Sequence, residues 1–245
     1  MNKISIFLSD IHLSEQSPQI TKNFEKFYQY CLDNSSQIEC IYILGDLFEF
    51  WIGDDFLTEF NQSIFDKLKD LSEITSETYF MQGNRDFLTG HHFEKMSGFN
   101  IIHDPHIITI NKQQILLSHG DILCIDDVAY QTFRNHVRNK LWQNDFLTKT
   151  INERIQIALN ARKESIKNHT EKEEYIMDVN EDEVKKILTD NKADILIHGH
   201  THRPKIHSYT FGDKTTCRYV LPAWYKQAGF LIYIHEKKIY KYINI

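Results

Sequence analysis

The sequence predicts an α/β protein built around a parallel sheet, and three observations carry that prediction. Short β-branched apolar runs alternate with segments of helical period through the first half of the chain. Several of these runs break off in glycine, aspartate, asparagine or histidine, and a second strand-rich stretch fills the C-terminal part.

The elements follow in order. "KISIFLS" reads as a strand, and Ser17 and Pro18 then open a helix as N-cap and first-turn residue, with Ile20, Phe24, Phe27, Tyr28 and Cys31 at helical spacing. "CIYILG" is a second strand, Thr58 starts a helix carrying Phe60, Ile64, Leu68 and Leu71 on one face, and "TYFMQG" is a third strand. This βαβαβ order implies parallel pairing with right-handed crossovers. "IITI" and "QILLSH", separated by the polar "NKQ", read as a hairpin. "ADILIHGH", "KIHSYTF", "CRYVLPAW", "GFLIYI" and "KIYKYINI" supply the remaining strands.

Residues from about 127 to 190 fit neither half. They carry Phe133, Val137 and Leu141, then Ile151, Ile155, Ala158 and Leu159 at helical spacing, and end in a helix capped by Asn180 with Glu183 three residues on. We expect one domain over residues 1–245 with a helical insertion there. Between Arg134 and Lys172 the insertion holds nine lysines and arginines against four acids, a basic segment on a chain of net charge −6.

Composition narrows the function. A 245-residue chain that is 41% hydrophobic suffices for a full core. The acidic balance gives no global reason to bind nucleic acid. Cys31, Cys40, Cys124 and Cys217 form no CxxC pair, so they read as reduced, mostly buried thiols. The first residues reach Asp10 too soon for a secretory apolar region, and no run approaches the ~18 apolar residues of a membrane span. A cytoplasmic protein is the expectation.

The strand ends carry the chemistry. Alternate residues of a strand share a side, so Asp10 and His12 project together if the extended conformation persists through Ile11. Asp46, Asn84, His119, His200 and His202 end or follow four further apolar runs; His198 reads as structural. In open α/β sheets, groups at the carboxyl ends of strands gather on one rim. Carboxylate, imidazole and amide oxygen together, without thiolate, suit divalent manganese, iron or zinc. The number of donors suffices for two ions about 3.5–4 Å apart, with Asp46 as bridge, and phosphoester hydrolysis is the reaction such a pair favours. Arg85 stays protonated and offers paired donors to phosphate, and Asp86 is expected to orient it or to cap the next segment.

"SDIHLS", "GDLFEFWIGDD", "GNRDF", "SHGD" and "HGHTHRP" resemble, in order, the motifs of the calcineurin-like metallophosphoesterases, and they span nearly the whole chain. "GDLFEFWIGDD", "GNRDFL", "HGDILCIDD" and "IMDVN" are further similar to the branch of that family acting on UDP-2,3-diacylglucosamine in bacterial lipid A synthesis. The resemblance implies a two-sheet αββα sandwich with an inserted helical cap, and two Mn2+ ions. It implies one ion on Asp10, His12, Asp46 and His202, and the other on Asp46, Asn84, His119 and His200. It assigns catalysis to Asp46, Asn84 and Arg85, and substrate contacts to Asn84, Arg85, Asp127, Ser165, His169, Lys172 and His200; His169 stands where that branch has asparagine. The implied reaction is attack of metal-activated water on the phosphorus nearer uridine, releasing UMP and 2,3-diacylglucosamine 1-phosphate (lipid X). The cap would shelter acyl chains, and its basic, apolar character fits the cytoplasmic face of the inner membrane. Other readings stay open at this level: a phosphoesterase acting on nucleotides or nucleic acid, a non-catalytic scaffold, or a lipid carrier.

Overall fold

Strand β1 (Ile4–Leu8) sends Ile4, Ile6 and Leu8 to one side and Phe7 to the other, and all are buried. A strand apolar on both faces needs a layer on each, and the computed structural model, which describes residues 2–171 and 178–245 (backbone alone over 164–171), supplies both.

The first sheet has the order β11-β10-β1-β2-β3-β4, comprising β2 (Ile38–Leu44), β3 (Glu77–Met81), β4 (Asn100–Ile102), β10 (Gly229–Ile234) and β11 (Ile239–Asn244) around β1. β1, β2, β3 and β4 pair in parallel, as the βαβαβ order requires. Helices α1 (Pro18–Asp33) and α2 (Glu59–Ile74) cover its outer face. Ile20, Phe24, Phe27 and Cys31 form the buried stripe of α1, and burial stabilises by about 1.5–3 kcal/mol for each large apolar side chain. Thr58 caps α2 by accepting a hydrogen bond from the Asn61 amide. Helix α3 (His91–Ser97) and β4 were not anticipated from sequence; both are too short to show a period.

The second sheet has the order β5-β6-β7-β9-β8: β5 (His106–Ile110), β6 (Gln113–Ser118), β7 (Ile195–His198), β8 (Ile206–Phe211) and β9 (Lys214–Val220). β5 and β6 form the expected hairpin, turned by Asn111 and Lys112 with φ of 51° and 68°. Phe7, Tyr42, Leu44 and Met81 of the first sheet meet Ile115, Leu117, Ile195 and Ile197 of the second in a shared core. The architecture is thus helix, sheet, sheet, helix.

Between β6 and β7 lie α4 (Val128–Val137), α5 (Lys140–Thr148), α6 (Ile151–Glu171) and α7 (Glu181–Asp190). They divide by packing. Val184 and Leu188 of α7 join Leu116 and Leu196, so α7 forms the outer layer of the second sheet. Phe146 of α5 and Ile151, Ile155 and Ala158 of α6 instead pack on the core beneath the first sheet's helices. Asn180 caps α7 through the Asp182 and Glu183 amides. Cys31, Cys40 and Cys124 are buried, Cys217 is half-buried, and all four are free thiols.

Candidate metal centre at the strand ends

The extended conformation of β1 does not persist through Ile11. Asp10 and His12 take φ of 52° and 58°, in the left-handed region, on either side of the buried Ile11. Their side chains still converge, because the Asp10 and His12 amides donate to Gly45 O and Asp46 O at 3.1 and 3.0 Å, carrying the pairing past the ladder. Asp46, His200 and His202 are also left-handed, at 55°, 66° and 55°. Five non-glycine residues in this conformation within one neighbourhood are strained backbone held by its surroundings, which is typical of ligand sites. Gly45, at φ 86°, permits the approach: a Cβ there would stand 2.6 Å from both Gly83 Cα and His119 Nδ1.

Two clusters result. Asp10, His12 and His202 bring one donor atom each within 4.8 Å of one another, and so do Asp10, Asp46 and His119. In the first, His202 Nε2 lies 3.1 Å from Asp10 Oδ1 and 3.5 Å from His12 Nε2, while His12 Nε2 is 3.9 Å from Asp46 Oδ2. In the second, His119 Nε2 is 3.7 Å from Asp46 Oδ1 and 2.9 Å from Asn84 Oδ1; His200 Nδ1 reaches the same amide oxygen at 2.9 Å. His200 thus joins through Asn84. Asp10 Oδ2 accepts from Ser9 Oγ and the His200 amide, which leaves Oδ1 facing His202.

This donor set fits a divalent cation. His119 Nδ1 lies 2.9 Å from Leu44 O, which only accepts, so the ring proton sits on Nδ1. In the neutral imidazole, Nε2 then presents a lone pair to the Asn84 oxygen, two electron-pair donors with a cation's place between them. The local field agrees. Burial alone would lower the His119 pKa, yet Asp46, Asp121 and Asp10 raise it to about 9, so the field favours positive charge at Nε2, a proton or the cation that would displace it. Burial would raise Asp10, but the hydrogen bond and charge of His202, with His119 and His12, hold it well below the usual carboxylate range.

His198 faces elsewhere. It is fully buried, its Nδ1 bonds Gly199 O, and burial followed by the Arg218 charge lowers its pKa to about 3. Asp127 is the N-cap of α4, accepting from the Tyr130 amide at 3.0 Å. The Ser165 and His169 side chains and all of Lys172 lie outside the described residues. Arg85 donates its amide to Asp46 Oδ1, and its Nε is buried without a hydrogen-bond partner among the described residues.

Of the supporting residues, Asp86 was expected to orient Arg85 or to cap the next segment, whereas Asp121, Glu49 and Tyr225 were not anticipated. Asp86 does not bond Arg85; its carboxylate accepts from the amides of Gly83, Leu47 and Asp46 at 2.8, 2.7 and 3.2 Å, clamping two strand ends together. Burial and the nearby Asp46 push its pKa up to about 6. Asp121 accepts from Tyr130 OH and Arg134 Nε, tying α4 to the loop after His119. Glu49 Oε2 stands 3.2 Å from His12 Nδ1, and Tyr225 OH 2.7 Å from His202 Nδ1. The sequence signal for Asp86, Asp121 and Glu49 was their place inside "GNRDF", "SHGD" and "GDLFEFWIGDD".

The profile of the calcineurin-like phosphoesterases matches residues 5–204, which include every donor of both clusters. The chain belongs to that family. Calcineurin-like phosphoesterases similar to it include a UDP-2,3-diacylglucosamine hydrolase of Haemophilus influenzae, 40% identical over 242 residues and 99% of each chain. Those of Chromohalobacter salexigens and Coxiella burnetii are 37% and 38% identical over 232 residues, covering 95% of this chain and 93% and 94% of theirs. Membership implies divalent metal, in keeping with the donor set. Among the described residues, no helix of this phosphoesterase is long and apolar enough to cross a membrane.

Proposed function

We propose that this chain hydrolyses the pyrophosphate bond of UDP-2,3-diacylglucosamine in lipid A synthesis, giving 2,3-diacylglucosamine 1-phosphate and UMP. The observation that carries the reading is that the two donor clusters meet: Asp10 belongs to both, and Asp46 of the second lies 3.7 Å from His119 and 3.9 Å from His12 of the first. Asp10, His12, Asp46 and His202 would hold one ion, and Asp46, Asn84, His119 and His200 a second. Manganese is the ion we assign, on the oxygen and nitrogen donors and the absence of thiolate. Bound there, two divalent cations supply Lewis acidity and a water acidified towards neutral pH.

The protein's own groups do the remaining work. Ser9 and the His200 amide fix Asp10, Leu44 O fixes the His119 tautomer, and Asp86 keeps the Asp46 and Asn84 loops in register. Arg85 supplies a permanent positive charge at the rim to meet the charge that develops on the phosphoryl oxygens. Attack on the phosphorus nearer uridine makes the acylated sugar phosphate the leaving group.

Residues from about 127 to 190, apart from α7 in the outer layer of the second sheet, act as the substrate cap in this reading, with Asp127, Ser165, His169 and Lys172 as its polar contacts. Val128, Phe133 and Leu141 are exposed on α4 and α5, Leu141 to 80%. Together with the basic balance between Arg134 and Lys172 they support peripheral attachment to the cytoplasmic face of the inner membrane. Vesicles of anionic phospholipid should co-sediment the protein at low salt, and failure to do so would remove the membrane from the reading.

The central test offers the metal-stripped protein UDP-2,3-diacylglucosamine with and without Mn2+, and measures UMP. Release only with metal supports the function. No release under either condition, from folded protein that binds the metal, overturns it.

A further inference from the structure

The carboxylate of Glu49 faces two ways. Its Oε2 lies 3.2 Å from Nδ1 of His12, while its Oε1 makes a close ion pair with Nη1 of Arg162 on α6. His12 is buried and turns its other nitrogen, Nε2, to Asp46 and His202. One side chain therefore joins a helix of the insertion to a donor of the metal centre.

A second ion pair between the same two segments provides contrast. Arg154, two turns earlier on α6, donates to Ile52 O at 2.8 Å and pairs with both oxygens of Asp55. That pair anchors α6 to the same loop, but no donor of the metal centre takes part in it. Anchoring α6 needs only Asp55. The Glu49 pair does something else: its carboxylate, 3.2 Å from His12 Nδ1 though outside hydrogen-bond geometry, favours by its charge a proton on that nitrogen, which leaves the Nε2 lone pair for a cation and makes it more basic.

We propose that Glu49 is a positioning residue: it sets the orientation and basicity of His12 towards a metal ion, and Arg162 tunes it from α6. The inference rests on the metal-centre reading given above. Contact of Arg162 with Glu49 draws carboxylate charge away from His12. An anionic phosphate that attracted Arg162 would return that charge to His12, linking substrate arrival to the strength of one metal ligand. The two elements carrying the relay, the loop at Glu49 and α6, are 113 positions apart in the chain.

The test is calorimetric titration of metal-stripped full-length protein with Mn2+, alongside thermal unfolding of the same samples. Glu49→Gln is expected to weaken one binding event about 10- to 100-fold, leaving the other intact. Arg162→Met is expected to tighten that same event, since it returns carboxylate charge to His12, and to have no further effect when combined with Glu49→Gln. Asp55→Asn, which removes the Arg154 anchor but keeps Glu49, Arg162 and His12, should not reproduce the loss expected of Glu49→Gln. Wild-type affinity in folded Glu49→Gln, or an equal loss in Asp55→Asn, would overturn the inference while leaving the metal centre standing. Should Glu49→Gln fail to fold, Arg162→Met against the parent decides alone: an unchanged Mn2+ affinity would overturn the relay. A parent protein that takes up no Mn2+ would overturn the metal-centre reading itself.

Discussion

Asp10 Oδ1 stands 3.1 Å from His202 Nε2, although 192 positions separate the two residues in the chain. The contact exists because β1 ends where the loop after β7 returns, and left-handed residues at both places turn the side chains inward. Neither segment has a use for such strain unless the pair serves something together.

If Asp46 joins the two clusters, Asp46→Ala should cost at least about a thousandfold in metal-dependent UMP release, roughly 4 kcal/mol of transition-state stabilisation. The fold should survive. The substitution removes one member of a crowded set of buried carboxylates, so unchanged far-UV circular dichroism is expected. Retention of a tenth of the parent rate would show that Asp46 is dispensable.

Arg85 should act on rate, not on metal uptake. Arg85→Ala is expected to lower kcat about 10²- to 10³-fold, with Arg85→Lys intermediate because ammonium keeps the charge but not the paired donors. Mn2+ titration should be unchanged in both. An altered metal stoichiometry would place Arg85 among the structural supports instead.

Buried Asp104 provides a pH prediction. Burial, reinforced by the neighbouring Asp121 carboxylate, raises its pKa from 3.8 to about 6. The folded state therefore holds a proton that the unfolded chain gives up between about pH 4 and 6, so this group lowers stability as pH rises through that window. Above it the penalty is constant, on the order of 3 kcal/mol. Asp104→Asn should be more stable than the parent at pH 8, and the difference should vanish below pH 4. Denaturant unfolding at the two pH values reads both.

Loss of the Arg154 partner should loosen α6 locally. Arg154 is 2% exposed, and Asp55→Ala leaves its guanidinium with Ile52 O alone. Because Asp55 itself is largely in solvent, we expect a cost of about 1–2 kcal/mol rather than that of a fully buried pair. Hydrogen exchange should quicken over residues 151–163 while β1 and β2 keep their protection. Uniform acceleration across both sheets would mean that the pair supports the whole fold.

The legible features were those with a local period. β1, α1, β2, α2 and β3 could be read because burial repeats every two or about 3.6 residues, and the parallel order followed from their alternation. The donors could be read because each interrupts an apolar run. α3 and β4 left no trace, since seven and three residues cannot establish a repeat. The placing of α7 against the second sheet was equally hidden: Val184 and Leu188 declare an apolar face, but not which surface receives it.

By itself, then, the sequence determined which residues are chemically fit to hold a cation, the order in which the chain delivers them, and the layers on which they ride. Tertiary structure alone decided how they meet. Asp10 and His12 converge through left-handed backbone and not along an extended strand, Asp86 spends its carboxylate on three amides, and Glu49 joins α6 to His12. The physical reason is that side-chain type and period are properties of neighbours along the chain, whereas hydrogen bonds between strand ends depend on register and loop closure, which only the assembled sheets fix.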